Sequence, residues 1–219
     1  MELLCSVVEY SFSLEKAFGI VKDVILMAAA ISGTVVAWKG LNTWNRQLKG
    51  QNEFALSRNI LVSLYKYRDA LNVVRNPMMW AHEMELTADE LAGKSEDQIR
   101  YLQSLKGFEE RWKRIGEVRS VMYAELIEAE ALWGMPLIEL FKPLEKLEWD
   151  LSSAIRDHLR ALKDPNAPRV LPGNEKKVEE RDATMNRPLG KDEPDPFMEK
   201  FTTAAAAIEA YVRSKWPHQ

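Results

Sequence analysis

Residues 24–38 read Val-Ile-Leu-Met-Ala-Ala-Ala-Ile-Ser-Gly-Thr-Val-Val-Ala-Trp, without a single charge. No other block of the 219-residue chain is as apolar all round. A helix of that kind belongs in a membrane or in a buried core. Fifteen residues make a helix of about 22 Å at ~1.5 Å per residue, short of a hydrocarbon layer of ~30 Å. Extension back to Phe18 gives a helix of about 31 Å by the same rise. The extension takes in Lys22 and Asp23, about one turn from its end, where a lysine stem can carry its ammonium to the interface. Trp38 and Trp44 stand where an aromatic belt is expected. The sequence thus predicts a transmembrane helix over residues 18–38, in preference to a buried helix of a soluble protein. A cleaved signal peptide fits less well, because residues 1–15 carry Glu2, Glu9 and Glu15 and no base.

The flanking charges give an orientation. Lys39, Arg46, Lys49 and Arg58 follow the segment, whereas only Lys16 and Lys22 precede or enter it. By the positive-inside rule the short tail of residues 1–17 is expected outside and everything after residue 38 in the cytoplasm. Lys22, Trp38, Lys39, Trp44, Arg46 and Lys49 are the expected interface residues. Ala29, Gly33 and Ala37 recur every four residues, a small-residue stripe that lets two spanning helices approach and associate. An equally good account is that small residues are simply common in spanning helices.

Composition excludes several classes. One cysteine rules out a disulfide scaffold and a Cys-rich metal module. Thirty Lys and Arg against 33 Asp and Glu lack the basic excess of a dedicated nucleic-acid binder. An apolar fraction of 46% is too high for a wholly disordered chain. The overall charge of −3 hides blocks of opposite sign. Residues 39–75 hold seven bases and two acids, and residues 76–134 hold seven bases and twelve acids.

After the apolar segment the pattern is helical throughout. Residues 42–76 lack proline, carry Phe54, Leu61, Leu64, Leu71 and Val74 on one stripe, and stop at Pro77. This helix is expected to continue the anchor, with a bend at Gly40. Thr87 can cap a short helix over residues 88–91. Ser95 with Gln98 forms a capping box for a helix over residues 95–133, ended by Gly134 and Pro136. Its expected buried face is Ile99, Leu102, Leu105, Trp112, Ile115, Met122, Leu126, Ala129 and Trp133. A third helix over residues 136–163 carries a leucine stripe and a kinking Pro143. The fold class is therefore all-α: one N-terminal transmembrane helix, then an antiparallel helical bundle or coiled-coil hairpin over residues 39–163. The basic first helix is expected to lie against the acidic second one, or against anionic lipid. Arg68 is expected at the core edge, paired with a glutamate of that second helix.

Residues 164–196 hold six of the ten prolines and read as a flexible, charged linker. A C-terminal amphipathic helix follows over residues 197–216. Phe197, Phe201, Ile208, Val212 and Trp216 form its docking face, expected to meet its own bundle or, less favourably, a partner.

Motifs for chemistry are missing. His82-Glu83 opens like a zinc-protease motif, but Leu86 stands where the second histidine is required. There is no phosphate-binding loop, no GxGxxG and no GxSxG. Glu125, Glu128 and Glu130 crowd one helix, yet no Glu-x-x-His follows. Trp80, Trp112, Trp133 and Trp149 read as packing anchors. No cofactor, metal, nucleic acid or small-molecule substrate is indicated. The expected function is that of a non-catalytic, single-pass protein that binds or positions a protein partner at the cytoplasmic membrane face. The alternatives are a membrane-perturbing effector (toxin or defence component) that self-associates through its anchor, and a soluble helical accessory subunit of an enzyme complex.

Overall fold

The structure is a computed structural model that describes residues 2–164, 175–190 and 193–216. Among the described residues it is all-helical, with no strand. The helices are α1 Glu2–Val74, α2 Ala88–Leu91, α3 Glu96–Trp133, α4 Pro136–Lys163, α5 Glu175–Met185 and α6 Pro196–Arg213, with a 3-10 turn at Ala81–Met84 after α1. The chain forms two compact units, residues 1–52 and 53–219.

In the first unit α1 runs through Gly40 and Gly50 as helix, and neither glycine uses a left-handed backbone. The described side chains from Lys22 to Lys49 are all exposed. By length and composition this is a helix able to cross a membrane. The side chain of Cys5 lies outside the described residues, as do His218 and the linker prolines Pro165, Pro168 and Pro172.

The second unit is a helical bundle built on local signals. Ser95 Oγ accepts from the Gln98 amide, and Gln98 Oε1 accepts from the Ser95 amide at 3.0 Å. Thr87 and Glu90 make the same reciprocal cap on α2. Both boxes satisfy amides that a helix start leaves without partners. Gly134, at φ +78°, takes a left-handed turn that a side chain would strain, and Pro136 starts α4 directly after it.

One face of each long helix closes a single core. It holds Ile60, Leu64, Tyr67 and Leu71 of α1, Ile115, Met122 and Leu126 of α3, Leu137, Phe141, Leu144 and Leu151 of α4, and Phe197, Phe201, Ile208 and Val212 of α6. The spacing of three and four residues puts each set on one stripe. Helix α4 is central, packed on α3 and on α6, while α5 touches α4 and α6. Trp216 packs at the edge of the core and meets Phe54 edge-on, ring centroids 5.4 Å apart.

Two sequence expectations are corrected here. Part of the segment read as linker is helix, Glu175–Met185. It contains no proline, spaces Lys176 and Glu180 as an i,i+4 pair, and buries Met185 in the core. The buried cation of α1, Arg75, takes Asp195, and the buried cation of α3, Arg111, takes Glu83. Arg68 is not a core-edge residue paired across the bundle, because it bonds its exposed neighbour Asp69.

Arg75 is the strongest joint in the bundle. Its side chain is 0% exposed. The guanidinium donates to Thr184 O at 2.8 Å, to Ala183 O at 3.0 Å and to Asn186 O at 3.2 Å. It also grips both carboxylate oxygens of Asp195 at 2.8 and 2.9 Å. Removal of one partner of such a buried pair leaves an uncompensated charge and unpaired carbonyls, at a cost of ~3–5 kcal/mol. Arg75→Ala is therefore expected to lower the unfolding free energy of the bundle by that much. Arg68→Ala, at an exposed pair, should change it by less than ~0.5 kcal/mol. Equal effects of the two substitutions in circular-dichroism unfolding would contradict this assignment.

Candidate functional site

Three regions bring chemistry-bearing side chains together. The first is the turn after α1. Arg111 of α3 is almost wholly buried and donates to the carbonyls of Asn76 and Met78, both at 2.6 Å. Its fork also meets Glu83 Oε1 at 3.0 Å and Oε2 at 2.7 Å. Glu83 in turn accepts from the Trp80 amide at 2.8 Å. The Arg111 bonds hold the Glu83 carboxyl below the usual carboxylate range, against the opposing effect of its burial. Gly107, one turn before Arg111, packs against Met79. A Cβ there would stand 2.6 Å from Met79 Sδ. The region is a joint, since one guanidinium ties two loop carbonyls and a carboxylate to α3.

The second region is a cleft of about 320 Å³ between α3 and α4, lined by Trp112, Arg119, Tyr123, Glu145, Glu148, Trp149 and Ser152. At its floor Glu148 is 8% exposed and accepts from the Tyr67 hydroxyl at 2.6 Å. It also forms an ion pair with Arg119. Burial, then the adjacent Glu148 anion, raise the Tyr67 phenol well above its ordinary range, so it remains a neutral donor. At the rim the Tyr123 hydroxyl donates to Glu145 at 3.0 Å. Burial first, then that carboxylate, raise the Tyr123 phenol too. The polar groups of the cleft are engaged with one another, which is what a register-setting network requires.

The third region lies on α1. Trp38, Lys39, Asn42, Asn45, Arg46 and Lys49 form an open, mixed basic and aromatic face along one helix. This is a surface and not a cavity, because every lining residue belongs to the same short stretch of α1. Ala29, Gly33 and Ala37 are exposed on that helix, and an added Cβ at Gly33 meets nothing within 4 Å.

The structure places the remaining sequence candidates as follows. Phe197, Phe201, Ile208 and Val212 are buried in the core, with Trp216 against it. Trp112 and Trp133 pack against the core, but Trp80 and Trp149 are 68% and 63% exposed and anchor nothing there. Trp149 instead carries the Arg156 guanidinium over its ring, 5.0 Å from the centroid. His82 is exposed, and its neighbour Glu83 is committed to Arg111. His158 meets Phe108 edge-on at 6.2 Å. Among the described residues no three His, Cys, Asp or Glu side chains come together as a metal would need.

Sequence reasoning missed Arg75, Arg111 and Glu148. Their signal was positional. Arg75 lies four residues after Leu71, Arg111 lies between Phe108 and Ile115, and Glu148 follows Leu144 and Leu147. All three fall on apolar stripes. The chain matches no protein-family model, no curated protein and no solved structure.

The Arg111–Glu83 joint gives a pH test. A folded carboxyl value below the unfolded one of ~4.3 means its contribution is complete above that pH. It is lost as pH falls through the folded value. Wild type is expected to exceed Glu83→Gln in stability by ~1.5–3 kcal/mol at pH 7, the range for charge-assisted bonds. The gap should close in acid below pH ~4. Thermal melts of both proteins from pH 7 to pH 3 measure it, and a gap that persists unchanged at pH 3 would refute the assignment.

Proposed function

We propose that the chain is a non-catalytic, single-pass membrane protein whose cytoplasmic helical bundle binds or positions a protein partner at the membrane face. The observation that carries this reading is the bare apolar stretch of α1. Ile25, Leu26, Met27, Ile31, Val35, Val36, Trp38, Leu41, Trp44 and Leu48 are all exposed, while the buried core begins at Leu56. Covering one such side chain is worth ~1.5–3 kcal/mol. Ten of them together exceed the ~5–15 kcal/mol that stabilises an ordinary domain. A helix so exposed in water would be driven into lipid or onto another apolar surface. The charges favour lipid. Residues 24–38 carry none, and Lys39, Arg46 and Lys49 follow at once on the expected cytoplasmic side.

The partner half of the reading rests on α3. Val121, Ile127 and Leu132 are exposed there, with Met135 at the turn beyond. Val121 and Leu132 lie on one flank of the stripe of Ile115, Met122 and Leu126 that enters the core, and Ile127 on the other. Apolar side chains left exposed beside a core stripe are area that a partner would cover.

Carbonate extraction of membranes, with protease protection of tagged ends, tests the anchor. The protein is expected in the pellet, with the N-terminal tag cleaved from outside intact cells and the C-terminal tag protected. Recovery in the soluble fraction would overturn the anchor and leave residues 18–38 as an interface helix of an accessory subunit.

A further inference from the structure

We propose that residues 27–48 of α1 pair in parallel with the same residues of a second copy of this chain. The parallel sense rests on the membrane reading above, since two copies inserted the same way lie side by side. Met27, Ala30, Thr34, Ala37, Leu41, Trp44 and Leu48 follow one another at alternating spacings of three and four residues. That is a repeat of 3.5, held for three heptads, the repeat that keeps a seam facing a partner helix. Each of these side chains is exposed. The one hydroxyl among them costs the seam little, because Thr34 Oγ1 donates to Ala30 O at 2.8 Å in its own helix.

The charges say what covers the seam. Lys39, Arg46, Lys49 and Glu53 all fall on the heptad positions farthest from it. The positions flanking the seam hold Ile31, Gly33, Trp38, Gly40, Asn45 and Gln47, none of them charged. In a parallel pair of identical helices the flanking positions of the two copies meet, and like charges there would repel. A helix facing only lipid has no reason to sort its charges by heptad position. The repeat also runs past the uncharged segment, through Leu41, Trp44 and Leu48, among the bases that mark the membrane edge.

The glycines are an independent observation. Gly33 and Gly40 lie one heptad apart on the same side of the seam. Each weakens a helix interior. A Cβ at either would meet nothing within 4 Å, so the chain's own packing does not need the space. Close approach of a second backbone does need it. The seam includes Ala37, with Gly33 at its flank, whereas Ala29 falls outside it.

The test is disulfide scanning of the full-length protein in membranes, with Cys5→Ser as the parent. Leu41→Cys, Trp44→Cys and Leu48→Cys are expected to form dimers severalfold faster on oxidation than Asn42→Cys or Arg46→Cys. Disulfides between identical residues at all three seam positions arise only from a parallel pair. Gly40→Leu should suppress them without shifting the unfolding midpoint of the bundle. Cross-linking that is absent, uniform along the helix, or strongest at residues 42 and 46 would overturn the seam. Carbonate extraction of the same samples separates the two readings. Soluble protein that keeps the three-and-four pattern supports the seam and refutes the anchor, and pelleted protein without the pattern does the reverse.

Discussion

A guanidinium with no water around it must find its acceptors in the protein, and the folded bundle depends on where Arg75 finds them. The fold therefore brings carbonyls and a carboxylate to it. The carbonyls are those at the C-terminal end of α5, which that helix leaves unbonded and which favour a cation. The carboxylate is Asp195, which also accepts from the Met198 amide at 3.1 Å and so caps the start of α6. The Phe197 ring lies under the guanidinium, 4.2 Å away. One side chain at the end of α1 thereby finishes one helix and begins another, more than a hundred residues further on. The chain of the same residue adds a bond of its own, from the Arg187 amide to Arg75 O at 2.8 Å.

Arg111 does the matching work on the other side of the same turn. It bonds Asn76 O and Met78 O, immediately after the residue that Arg75 occupies. The exit of α1 is thus held from α3 by one arginine, while the other anchors α5 and α6. Each arginine has a carboxylate, so neither buries an unpaired charge. The Tyr67–Glu148–Arg119 set ties α1, α4 and α3 at the level of the core. Polar joints of this sort add less to stability than the apolar core does. They disfavour other registers of helices whose leucine stripes would slide past one another with little penalty.

What was legible in the sequence follows from this division. Helix ends were legible because capping is local: Ser95 with Gln98, Thr87 with Glu90, and Gly134 before Pro136 each state their role within four residues. Apolar stripes were legible for the same reason. The buried ions were not, because a charged residue reads as surface until its partner is known, and Asp195 is 120 positions from Arg75. The α5 helix was hidden by its proline-rich neighbours, although residues 175–185 contain none. Block charges could not locate these pairs. They sum residues on every face of a helix, whereas pairing is decided by the few that meet.

The same reasoning bears on α1, where an average over the whole helix conceals two patterns. Residues 27–48 repeat at three and four, and so do Ser57, Ile60, Leu64, Tyr67, Leu71 and Val74. The second series starts two residues out of phase with the first. A single amphipathic helix would keep one phase throughout. A change of phase means that two surfaces of different kind were selected on one helix. The second is filled by the bundle core, to which Ile60, Leu64, Tyr67, Leu71 and Val74 belong. The side chains of the first are all exposed. Its bases lie off the seam, since Lys39 and Arg46 fall on the heptad position farthest from it and remain exposed. On the membrane reading those bases meet anionic headgroups, each adding ~1 kcal/mol, and the seam between them is left for a second copy. Lipid attraction and self-pairing then use different faces of one helix and do not compete.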